Sequence, residues 1–118
     1  MKPVALLCVM LFAVPLTFRP VASGESESLQ CNIGPIAKIY GKTQWLVYSC
    51  DDNRTVVIVT VNENPALPFY FMFSPQGNGY RLSGEGSGRK DATKAAFDEL
   101  KALSTEDIVA LIEQTKAH

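Results

Sequence analysis

YRLSGEGSGRKDATKAAFDEL, residues 80–100, changes its period halfway along. Its first part, YRLSG (80–84), reads as the return arm of a hairpin, because QGNG (76–79) is turn chemistry between two strand-like runs. Beyond Gly88, residues Ala92, Ala96, Phe97, Leu100 and Leu103 recur at helical spacing, with Lys94, Asp98 and Lys101 on the other faces. The glycine-rich middle, GEGSGRK (84–90), reads as a flexible joint between sheet and helix.

Upstream of this switch the punctuation is that of strands. IAKIY ends at Gly41, and QWLVYSC is rich in aromatic and β-branched residues that suit a pleated surface. DDNR (51–54) is a turn, since Asp and Asn bond their own backbone, and TVVIVTV (55–61) completes a hairpin with the preceding run. NENPALP is a loop before FYFMF (69–73). Downstream, LSTEDIVALIEQTKAH places Ile108, Leu111, Ile112 and Thr115 on one helical face, and Ser104 with Asp107 resembles a capping box. Strands first and helices afterwards predict an α+β fold: an antiparallel meander of about four strands followed by two C-terminal helices.

The amino terminus sets the compartment. Lys2 precedes an apolar run from Val4 towards Thr17, broken by Arg19 and Pro20, and Val21, Ala22 and Ser23 are suitably small for cleavage. Residues 1–23 are therefore expected to be a signal peptide, too short for a membrane span, with an uncleaved anchor as the rival reading. GESESLQ (24–30) is expected to be a flexible leader, and residues 31–118 a single domain, exported to the periplasm or the extracellular space. Cys8 leaves with the signal, so Cys31 and Cys50 remain as a pair, most simply a disulfide in an oxidising compartment.

Charge and residue content exclude several classes. After residue 23 the chain carries nine basic and twelve acidic residues, and no Lys/Arg run, which disfavours nucleic acid. GEGSGRK fails as a phosphate loop: three residues rather than four separate Gly84 from Gly88, Arg89 stands in the lysine position, and Asp91 follows Lys90 where a hydroxyl is required. The helix start with Arg89 and Lys90 could still offer a weak anion or partner contact. The one histidine, His118, is the terminal residue, so triads lose their base, and no cofactor or metal set is evident. The Asp51-Asp52-Asn53 run lacks the glycine and closing glutamate of a calcium loop. A small hydrolase would have to run on carboxylates alone, from Asp51, Asp52 and Glu85. Asn53-Arg54-Thr55 matches a glycosylation acceptor.

A binding role follows from the strands. Phe69, Phe71 and Phe73 share one face of their strand and Tyr70 and Met72 the other, while Val57 and Val59 oppose Val56 and Ile58, so both faces are apolar. One explanation is a central pair of strands covered on both sides. The other is that two small helices cannot cover both faces, leaving an aromatic surface with Trp45, Tyr48, Tyr70 and Met72 for a protein partner or a homodimer, with Glu85, Arg89 and Lys90 beside it.

YSCDDNRTVVIV (48–59) together with YRLSGEGSGR (80–89) resembles the periplasmic c-type lysozyme inhibitors, exported disulfide-bonded β proteins whose inhibitory loop carries a Ser-Gly stretch. The resemblance implies enzyme inhibition by a protruding loop at 83–90. This chain departs from that family in its two C-terminal helices and in lacking a tyrosine shortly after Gly84.

Overall fold

The computed structural model describes residues 28–118; the expected signal peptide and the first part of the expected leader lie outside the described residues. Five strands, β1 (Ile33–Tyr40), β2 (Thr43–Ser49), β3 (Val56–Thr60), β4 (Phe69–Gln76) and β5 (Gly79–Gly86), precede two helices, α1 (Lys90–Leu100) and α2 (Thr105–Lys116). The sheet is antiparallel in the order β1-β2-β3-β4-β5, a meander with helices after it. The α+β expectation holds, with five strands in place of about four.

The extra strand length sits at both ends. β1 includes Gly34 and Pro35, with a register irregularity between Ile33 and Ile36. Those two residues interrupt the β-forming pattern, and neighbouring β2 supplies the pairing that composition does not. β5 runs through Gly84, Glu85 and Gly86, in continuous register with β4 from Gln76–Gly79 to Phe69–Gly86. Of the glycines expected to flex, Gly84 and Gly86 are thus strand residues and Gly88 lies just past the strand, all three required by close approach. A Cβ on Gly84 would fall 2.8 Å from the Phe69 ring, and one on Gly88 would fall 1.6 Å from the Ala66 carbonyl oxygen. Ser87 and Gly88 both donate backbone N–H to Pro68 O, so the passage from sheet to helix is tied down. It is a packed corner rather than a joint.

Both helices lie on one sheet face. Trp45 and Val47 of β2, Val56 and Ile58 of β3, and Phe71 and Phe73 of β4 are buried with Ala66, Ala96, Leu100, Ile108 and Ile112 in one cluster. Each large apolar side chain fully buried there contributes on the order of 1.5–3 kcal/mol. α2 begins with a complete capping box: Asp107 N–H donates to Ser104 Oγ at 3.0 Å and Ser104 N–H to Asp107 Oδ2 at 2.9 Å. Where α2 crosses β2, Ser49 Oγ and Thr115 Oγ1 are 2.6 Å apart and buried, and Thr115 Oγ1 also donates to Ile112 O. Pairing the two hydroxyls removes the penalty each would incur alone in an apolar setting.

Cys31 and Cys50 form a disulfide, joining a residue two positions before β1 to the one just after β2. Asp51 N–H donates to Gln30 O beside it, so the start of the domain is fastened to the β2–β3 turn. Such a covalent link is consistent with an oxidising, exported location.

Candidate functional site: the uncovered sheet face

Because side chains alternate along a strand, the residues between the core positions point to the opposite face. There Ala37, Leu46, Val59 and Tyr70 line up across β1 to β4, and Tyr48, Val57 and Met72 form a second row across β2 to β4. Among the described residues no element packs on this face, and both helices belong to the other. Leu46, Tyr48, Val57, Val59 and Met72 are half-buried by their neighbours alone, while Ile39 is 68% and Tyr70 37% exposed.

The β5 end of this face carries the polar groups. Glu85 lies opposite Tyr70, and the Tyr70 hydroxyl donates to Glu85 Oε1 at 3.1 Å. That hydrogen bond, reinforced by the carboxylate charge, raises the Tyr70 phenol above its ordinary value. Around the pair runs a shallow groove of about 390 Å³, lined by Val59, Thr60, Pro68, Phe69 and Gly86 besides Tyr70 and Glu85. On the helix side, a cleft of about 300 Å³ lies between α1 and the hairpin of β4 and β5, walled by Phe69, Phe71, Gly84 and Phe97 with Thr93 and Lys94 at its mouth.

The residues anticipated from sequence divide accordingly. Tyr70, Met72 and Glu85 come together on the uncovered face. Trp45 does not: it is fully buried on the helix side, its ring 5.3 Å from Phe71 and its Nε1–H shared between Tyr40 O and Thr43 Oγ1. The physical reason is parity, since Trp45 and Tyr48 are an odd number of residues apart and a strand sends them to opposite faces. Arg89 and Lys90 are also elsewhere, at the head of α1 on the helix side. Arg89 Nη2 bonds Asp91 Oδ2 at 2.6 Å and Nε bonds Oδ1 at 3.2 Å, and the pair is well exposed. Sequence reasoning missed Leu46 and Ile39; the available signal was their place one step out of phase with Trp45 and Tyr40.

The carboxylates proposed for a hydrolase are separated by the register. Asp51 and Asp52 lie on the β2–β3 turn, at the end of the sheet where Val56 pairs with Phe73, whereas Glu85 pairs with Tyr70 towards the other end. Asp52 serves its own turn: Thr55 Oγ1 donates to it at 2.6 Å, and the N–H groups of Arg54 and Thr55 at 2.9 and 2.8 Å. Burial works to raise its carboxyl, but those bonds outweigh it and hold the group below its usual value. The 83–86 stretch is edge strand, not a projecting loop. Among the described residues, no group of three His, Cys, Asp or Glu side chains is placed to hold a metal ion, and no helix is long and apolar enough to cross a membrane.

The chain matches no protein-family model, no curated protein and no solved structure. The likeness of residues 48–59 and 80–89 to lysozyme inhibitors therefore rests on those two short stretches alone.

Proposed function

We propose that this is an exported, non-catalytic protein-binding module whose binding surface is the uncovered face of the sheet. One observation carries the reading: Leu46, Tyr48, Val57, Val59, Tyr70 and Met72 form a contiguous apolar surface over three adjacent strands with nothing on it among the described residues. An apolar face of this extent marks an interaction site, and Tyr and Met are residues favoured at the centre of protein interfaces. Among the described strand positions this face carries one basic residue, Arg81 on the β5 edge, which suits an apolar protein surface better than a polyanion. The disulfide supports export, the compartment in which the partner would be met.

The test is to place charge at the centre of the face. Val57→Lys combined with Met72→Lys should leave the fold intact, because both side chains already border solvent, and should abolish co-purification of a partner from the exported fraction. Undiminished co-purification of the same protein would reject this surface as the site.

A further inference from the structure

The two edges of the sheet are built differently. β1 is irregular at Ile33–Ile36, contains Pro35, and is contacted by both helices. Such features keep an edge from pairing with another chain. β5 has none of them: eight residues in unbroken register with β4, no proline, and, among the described residues, no helix in contact with it as closely as both helices contact β1. After Gly86 the chain turns inward to Pro68, and among the described residues no backbone group is hydrogen-bonded to the outer side of β5. Every second residue of β5 thus turns its N–H and C=O to solvent.

We propose that this edge pairs with the same edge of a second copy, antiparallel about a two-fold axis at Ser83, making one ten-stranded sheet. The side chains select that register. Arg81 and Glu85 lie on the uncovered face, four residues and about 13 Å apart along the strand, too far to pair with each other. Neither has an ion-pair partner among the described residues. An axis at Ser83 sets Arg81 of each copy opposite Glu85 of the other, giving two cross-strand ion pairs by symmetry. Tyr70 occupies Glu85 Oε1, and the other carboxylate oxygen remains for the incoming guanidinium.

The helix-side face fits in the same register. Leu82 comes opposite Gly84 of the second copy and Tyr80 opposite Gly86, so each bulky side chain meets a residue with none. Leu82 then lies against the aromatic cleft of Phe69, Phe71 and Phe97. Moving the axis to Leu82 or Gly84 sets Arg81 opposite Ser83 or Ser87 and loses both matches. The dimer uses the edge only, and it joins the two uncovered faces into one continuous surface.

The experiment is sedimentation velocity on protein expressed from Met1 and purified in the form the cell retains, from low micromolar to about 1 mM. A reversible dimer is expected. Arg81→Glu or Glu85→Arg alone places like charges opposite one another twice and should weaken association about tenfold. The double variant R81E/E85R restores both pairs with their polarity exchanged and should recover most of the affinity, which a purely structural role for either residue would not do. Circular dichroism of each variant verifies the fold. A monomer throughout, a dimer indifferent to the single reversals, or single losses that the double variant does not recover would each overturn the proposal; indifference would mean that the copies meet elsewhere, as on the uncovered face.

Discussion

The Tyr70 hydroxyl donates to Glu85 Oε1 at 3.1 Å, joining β4 to β5 on the face that the helices leave open. The bond fixes an otherwise mobile phenol at the rim of the apolar rows. It also perturbs that phenol, since ionising Tyr70 would break the bond and set two negative charges together. Glu85→Gln removes the charge and should move one tyrosine titration to lower pH in an ultraviolet titration. Tyr70→Phe should delete that same step. If E85Q leaves every tyrosine where it was, the pair does not form in solution.

A second tyrosine governs the alkaline limit. The Tyr40 phenol is pushed up to about 12, first by burial and then by the nearby charge of Glu99. The folded state therefore holds this proton more tightly than the unfolded chain, whose phenol titrates near 10.0. The associated stability is fully present below about pH 10 and is lost as pH rises towards about 12. Denaturant unfolding across that window should show the decline, and Tyr40→Phe should make it shallower. Trp45 keeps its acceptor in that variant, because Nε1–H bonds the Tyr40 backbone carbonyl.

Gly88 tests the packed corner. An added methyl would overlap the carbonyl of the fully buried Ala66, so the corner between β5 and α1 must open to accommodate it. Gly88→Ala should cost about 1–3 kcal/mol by denaturant unfolding, the range for overpacked positions. Gly77, whose Cβ position is free but whose φ is +57°, should lose less on the same change. Equal tolerance at the two sites would return residues 84–90 to the status of a flexible joint.

The disulfide closes a loop with a sequence separation of 19. Constraining the unfolded chain over that length contributes roughly 3 kcal/mol. Cys31→Ser with Cys50→Ser should lower stability by about that amount and free the strand start from the β2–β3 turn. Thermal unfolding with and without reductant checks it: the native chain should respond to reductant and the double variant should not.

The legible and the hidden parts of this molecule separate on physical grounds. Helix positions were readable because Ala96, Leu100, Ile108 and Ile112 repeat at the helical period and a local cap at Ser104 marks a boundary. The hairpins were readable from Asp51–Arg54 and Gln76–Gly79 for the same reason, that turn chemistry is local. The start of β1 and the end of β5 were not, because Gly34, Pro35 and Gly86 are strand residues by virtue of a neighbouring strand, which no local preference reports. The two-faced apolar pattern of β3 and β4 announced the candidate surface. Which face the helices would choose depended on parity through β2, and there the buried Trp45 reveals what the run QWLVYSC leaves ambiguous.

Site-specific photo-crosslinking shows whether a partner meets the uncovered face. A crosslinking residue replacing Met72, at the centre of the uncovered face, is compared with one replacing Val109, which is 47% exposed on α2. Illuminated in the exported fraction, the probe at 72 should give one discrete protein adduct, identified by mass, and the probe at 109 should not. Equal labelling from both positions, or none from 72, would contradict a binding role for this face.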